Sequence, residues 1–375
     1  MFALLRWLTA VMLGCFIATG HADEMVGYSA FENGDYTTAY QHLIISAREG
    51  NEEAMYVIGR MYQNGLGVTK DLTTARTWYE KSAAKNNPLS ELSLGFLYDA
   101  GYGVPQDYKA AFSWYMKAAK HGNAIAQRNV GLMFATGEGV SENQHEAFSW
   151  FKKSAQQGYS KSQVNLAYQY MMGYGTKQNT EEALSWYQKA ALQGDDKGQY
   201  SLALLYSGHY GIPADQKAVT YWLEQAASQG HVDAEAYLAY QYLNGLGVEA
   251  NPQKAVYWYG QSAQQGHAFA QEQLGQLFLT GTGVDKDYQQ AAFWFTKSAE
   301  NGNVVAQGKI GYLYTVGLGV AQNNAKAYAW LRLATKNKNE QAKKDLLRMQ
   351  SQLTAEEKQR GEVIFQEYLK SVRPE

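Results

Sequence analysis

The stretch Asn87–Gly122, NPLSELSLGFLYDAGYGVPQDYKAAFSWYMKAAKHG, recurs along the chain and decides how the rest is read. Its tryptophan, Trp114, belongs to the series Trp78, Trp114, Trp150, Trp186, Trp222, Trp258, Trp294 and Trp330, in which each member follows the last by 36 residues. A constant period of this length marks an array of identical supersecondary units. Each unit leaves an apolar face that only its neighbours can cover, so the expected product is a solenoid.

The second half of the unit reads as a helix, here helix B. Ala111, Trp114, Tyr115, Ala118 and Ala119 fall on one stripe at helical spacing. Seven positions before each tryptophan stands Asp71, Asp107, Asn143, Asn179, Asp215, Asn251, Asp287 or Asn323, the residue types that accept from the open amides of a first turn. Eight positions after it comes Gly122, Gly158, Gly194, Gly230, Gly266 or Gly302, with Asn86 in the first copy and Lys338 breaking the rule in the last. The tryptophans lie on the small-residue stripe and are expected in the core.

The first half, helix A, carries Ser90, Leu94, Gly95, Leu97 and Tyr98 at the same spacing. A small residue recurs as Gly59, Gly95, Gly131, Ala167, Ala203, Ala239, Gly275 and Gly311, which would let helix B of the same unit approach closely. Between the helices lies a Gly-x-Gly turn such as Gly101-Tyr102-Gly103. Phosphate binding would require a strand before it, so it reads as a connection that needs positive φ. In the fifth unit His209 stands where the first of these glycines is expected, which reads as local repacking of the loop.

Both ends differ from the array. Ala39, Ser46, Ala47 and Gly50 match helix B positions, with Asp35 as cap and His42 in the tryptophan slot, so residues 23–50 are expected to form a capping half repeat. Residues 51–338 hold the eight units. Residues 339–375 are expected to close the far end with helices, the last opened by a capping box at Thr354 and Glu357.

The chain has 375 residues, a formal charge of −2 and one cysteine. No block of charge suggests a nucleic-acid footprint; Lys336, Lys338, Lys343, Lys344 and Arg348 read as a solvated helix face. Residues 1–22 read as a cleaved signal peptide: Arg6, the apolar run Trp7–Ala18, and a small-x-small site ending at Ala22. The expected address is periplasmic or secreted. An uncleaved anchor is one alternative, and acylation at Cys15 another, although Met12-Leu13-Gly14 fits a lipobox poorly. The apolar run is too short to span a bilayer and no later stretch approaches that length, so no membrane span is expected.

The pattern in Ser90–Gly122, SELSLGFLYDAGYGVPQDYKAAFSWYMKAAKHG, closely resembles the Sel-1-like repeat, a relative of the tetratricopeptide repeat. The resemblance covers residues 51–338 as eight units and implies an all-α, right-handed superhelical solenoid that serves as a protein-binding adaptor, often periplasmic in bacteria. One secreted branch carries a disulfide in each repeat and is associated with penicillin binding; this chain lacks those cysteines.

Chemistry is sparse. Ser82-Ala83-Ala84-Lys85 matches the S-x-x-K of serine β-lactamases, but no K-T-G or S-D-N triplet accompanies it. The seven histidines show no zinc-binding spacing, and His231 and His267 are expected to cap helices A. No catalytic residue, metal or cofactor is expected. By resemblance to tetratricopeptide arrays, the concave face is lined by helix A positions 22, 18 and 15 before each tryptophan. Among them Tyr56, Arg60, Phe96, Arg128, Tyr168, Tyr200, Tyr240 and Tyr312 are the aromatic and arginine types that dominate interfaces. The expected ligand is a protein or peptide, not nucleic acid or a small molecule; some of these aromatics could instead seal adjacent repeats. A module for cell-wall or other polysaccharide, suggested by 29 tyrosines and the exported address, is the alternative, and a β-lactamase-type hydrolase a further one.

Overall fold

The computed structural model describes residues 23–372, and the expected leader, with Ala22 and Cys15, lies outside them. Every regular element among the described residues is an α-helix. The chain opens with α1 (residues 23–32) and α2 (Tyr36–Glu49). Eight helix pairs follow: α3 (Glu52–Asn64) with α4 (Leu72–Ala83), α5 (Pro88–Ala100) with α6 (Tyr108–Lys120), α7 (Ala124–Thr136) with α8 (Gln144–Gln156), and α9 (Ser160–Met172) with α10 (Thr180–Leu192). The remaining pairs are α11 (Asp196–Tyr206) with α12 (Gln216–Ser228), α13 (Val232–Asn244) with α14 (Pro252–Gln264), α15 (Ala268–Thr280) with α16 (Tyr288–Glu300), and α17 (Val304–Val316) with α18 (Asn324–Lys336). Helices α19 (Glu340–Gln350) and α20 (Ala355–Ser371) end the chain. This is the all-α array of helix-turn-helix repeats that the period demanded. It divides into two compact bodies, one ending at Trp186 and one beginning at Tyr187.

The local signals form as read. Asp107 accepts from the amides of Lys109 and Ala110 at 2.9 and 3.0 Å, and the corresponding Asp or Asn caps every other helix B. Gly122 takes φ +89°, and Lys338, where glycine is missing, still takes φ +66°. A side chain in this region costs about 1–2 kcal/mol, so the array's turn geometry persists at its end against the residue's own preference. Helix α20 then packs on α18, with Tyr368 stacked on Trp330 at 4.1 Å and Arg332 lying 4.3 Å above the Phe365 ring.

The core corrects one expectation. In every helix B the residue after the tryptophan is buried: Tyr79, Tyr115, Phe151, Tyr187, Leu223, Tyr259, Phe295 and Leu331. It lies against the small residue of helix A. A Cβ placed on Gly95 would come 2.4 Å from the Tyr115 ring, and one on Gly131 2.7 Å from Phe151. Trp150 and Trp330 are buried, but the other six tryptophans of the repeat series are half-buried. An indole one position before the inward-facing residue points about 100° away from it, towards the flank of the helix. There Lys81, Lys117 and Lys153 cover Trp78, Trp114 and Trp150 at 4.5, 3.9 and 3.9 Å. In later units Tyr221, Tyr257 and Phe293 meet Trp222, Trp258 and Trp294 edge-on at about 5 Å.

Candidate functional site

The helix A residues chosen for a partner separate by their place in the unit. Of those 18 positions before the tryptophan, Phe96, Tyr168, Tyr240 and Tyr312 face solvent, exposing 44, 48, 42 and 50 % of their surface, while Arg60 is half-buried. Those 22 positions before it, Tyr56, Arg128 and Tyr200, are half-buried. The two rows are four positions apart, one turn plus about 40°, so they lie on the same side of helix A and differ in what neighbouring structure covers them.

In the first body, Arg60 lies 5.1 Å from the Phe31 ring and 5.8 Å from that of Tyr56, which itself leans on Tyr79 at 6.0 Å. Phe96 meets Tyr102 edge-on at 5.7 Å, and Tyr168 meets Tyr174 at 6.0 Å. Tyr102 and Tyr174 are exposed, so each pair presents two rings to solvent. Sequence reading missed these turn residues because it treated the Gly-x-Gly loop as a connection; their signal was an aromatic between the glycines of the same units that carry Phe96 and Tyr168. The Nε of Arg128 is buried and has no hydrogen-bond partner.

In the second body, Tyr200 stacks on His231 at 4.6 Å, and burial, with the Asp233 carboxylate nearby, pushes its phenol up to about 12. Tyr240 leans on Tyr237 at 6.4 Å. Tyr312 borders a cleft between α17 and α19. Among the charged groups, Glu272 is buried and holds the Lys309 ammonium, which also donates to Gln276 at 2.8 Å.

The Sel1 repeat description matches residues 52–87, 88–123, 124–159, 160–195, 196–231, 232–267, 268–303 and 304–339. The chain belongs to the Sel1 repeat family. A crystal structure of c5321, a protective antigen of uropathogenic Escherichia coli strains displaying an SLR fold, is 32% identical, with a TM-score of 0.82 over 94% of this chain and 77% of that one. The Sel1 repeat protein from Oxalobacter formigenes is 30% identical, with a TM-score of 0.63 over 82% of this chain and 89% of that one. Human protein sel-1 homolog 2 is 37% identical over 79 residues, which are 21% of this chain and 12% of that protein.

The Sel1 unit also holds polar bridges that sequence reading did not single out. Gln127 donates to the Ala119 carbonyl at 3.1 Å and accepts from Gln157 at 2.8 Å, tying its own helix B to the preceding one. Gln199 with Gln229, and Gln271 with Asn301, repeat the contact at 2.8 and 3.0 Å. Their 36-residue recurrence was visible, but glutamine is an ordinary helix-surface residue and nothing local marks it as buried.

The residues that resembled catalytic or metal-binding groups have structural partners. Ser82 is fully buried and donates to the Glu52 carbonyl at 2.6 Å while accepting from Ser90 at 2.7 Å, so its hydroxyl faces no substrate. His231 and His267 accept from the amides of Ala234 and Ala270, capping helices as expected. In the fifth unit the loop repacks around Gly208 at φ +90°, with Ser207 2.8 Å from His209. Among the described residues no helix is long and apolar enough to cross a membrane.

Proposed function

We propose that this Sel1 repeat chain is an exported, non-catalytic scaffold that holds a protein or peptide partner on the exposed face of its helices A. The observation that carries the reading is the row of exposed aromatics at one register, Phe96 and Tyr168 in the first body and Tyr240 and Tyr312 in the second. Rings fixed to rigid helices offer contact area at small entropic cost, which suits a protein surface or an extended segment. The leader read in residues 1–22 supports export to the periplasm or beyond.

The test is a photo-crosslinking residue placed at Tyr168 in living cells. A discrete adduct is expected, and Tyr168→Ala together with Tyr240→Ala should abolish capture while helical circular dichroism stays intact. Capture unchanged in that double variant, or the same adducts from a crosslinker at Tyr257 on helix B, would refute the reading.

A second reading, polysaccharide binding, is favoured by Tyr221, Tyr257 and Phe293, exposed at one register of three successive helices B. Stacking on sugar rings would use them directly. Cosedimentation of the pure protein with peptidoglycan, lost in Tyr257→Ala, would support it; no cosedimentation would remove it.

A further inference from the structure

The cleft between α17 and α19 has a volume of about 430 Å³, within the range of ligand pockets. Its walls are apolar: Leu279, Phe295, Val305, Tyr312, Leu313 and Leu318. It exists because of Gly308. That position holds Tyr56, Leu92, Arg128, Val164, Tyr200, Ala236 or Glu272 in the other units, all half-buried or buried, and here it has no side chain. A Cβ at Gly308 would stand 3.1 Å from Asn339 Nδ2 and 3.5 Å from the Ala342 Cβ, so a larger residue would grow into this space.

The charges around the cleft are unequal. The Lys309 ammonium is held by the buried Glu272 and by Gln276. Arg348, whose side chain is 77 % exposed, makes one long contact of 3.7 Å with Asp345. Lys338 and Lys344 immediately precede the cleft residues Asn339 and Asp345, and both are exposed, as are Lys336 and Lys343. Of the basic residues noted in the sequence, Lys343, Lys344 and Arg348 therefore lie on α19, the helix that forms one wall of an apolar hole, and Lys336 and Lys338 come just before it.

We propose that this cleft is an anchor site for an acidic peptide segment carrying one bulky apolar side chain. The side chain fills the space above Gly308 beside Phe295 and Tyr312, and the flanking carboxylates meet Arg348 and Lys344. This deepens the scaffold reading, on which it rests, by naming the chemistry of the partner. An apolar anchor in a desolvated pocket supplies most of the affinity, and the surrounding charges supply orientation and salt dependence.

The experiment uses the full chain and fluorescein-labelled synthetic peptides followed by polarisation. The probe is Gly-Asp-Glu-Phe-Asp-Glu-Gly; the controls carry Ala for Phe, or Lys for every acid. Binding of the probe is expected to weaken by about tenfold or more when Ala replaces Phe, to vanish with the basic control, and to fall with added salt. Gly308→Leu should abolish it, and Arg348→Gln with Lys344→Gln should weaken it. Should Gly308→Leu lose helical circular dichroism, Val305→Glu, at an exposed position, brings a like charge to the mouth and should abolish binding in a folded protein. Equal binding of the Phe and Ala peptides, indifference to Val305→Glu, or binding of decanoate without the peptide would each overturn the assignment. None of these variants touches Tyr168, so the cleft can fail while the crosslink from Tyr168 succeeds, and the reverse.

Discussion

Glu91 Oε2 sits 2.8 Å from Nδ1 of His121, in the place where Gln127, Gln199, Gln271 and Gln307 each pair with a second amide. Glu91 is almost wholly buried and His121 reaches solvent, so the second unit holds its bridge with an acid and a base. Removing the base alone leaves a buried carboxylate without that partner. His121→Ala is expected to cost about 1–3 kcal/mol, and Glu91→Gln with His121→Gln, which recreates the Gln127–Gln157 pair, should recover most of it. Urea unfolding of the three proteins measures both steps.

Gly95 is needed for the approach of Tyr115. The ring has nowhere to retreat, being buried and donating its hydroxyl to Asp99 at 3.2 Å. Gly95→Ala should therefore destabilise by about 1–3 kcal/mol despite the better helix propensity of alanine. Gly122→Ala meets no atom within 4 Å and suffers only the strain of φ +89°, about 1–2 kcal/mol. A larger loss at Gly122 than at Gly95 would contradict the packing account.

The tryptophans are not equivalent. Trp330 is buried against Tyr368, so Trp330→Ala should cost about 3–5 kcal/mol. Trp114 is half-buried and its replacement should cost clearly less, while Lys117→Ala, which uncovers its ring, should cost about 0.5–1 kcal/mol. Equal losses at Trp114 and Trp330 in chemical denaturation would refute this ranking.

Tyr200 and Tyr368 give the fold an alkaline limit. Burial raises both phenols to about 12, above the ordinary value of about 10. Because the folded state favours the protonated form, their contribution is complete below pH about 10 and is lost as pH rises through about 12. Phenolate absorbance should show a late class that appears together with loss of helical ellipticity. Tyr200→Phe should shift the unfolding midpoint to higher pH, and an unchanged midpoint would count against the assignment.

The two rows of helix A residues should respond differently to truncation. Tyr56→Ala removes ring contacts with Tyr79 and Arg60 and should lower stability. Phe96→Ala, at an exposed ring, should leave thermal unfolding within a degree or so of the parent while reducing partner capture. The comparison needs only a thermal melt beside the crosslinking yield.

The repeat, the capping Asp and Asn residues, the left-handed glycines and the small residue on helix A were legible in the sequence. Each is a rule written in every unit: a side chain that accepts an amide, a backbone that takes positive φ, a small residue where helix B must come close. The exposed and half-buried rows of the candidate site were not separable there, since Tyr56 and Phe96 are both large residues on the same helical stripe.

Sequence alone thus determined the unit and its number, because those depend on interactions within a few turns of chain. Tertiary structure decided that the residue after each tryptophan forms the deep core and that Gln127 bridges two helices B. It also decided that Gly308 opens a cleft beside a basic helix. These depend on which neighbouring helix lies opposite a given side chain, and that is fixed by packing between helices, not by spacing along one.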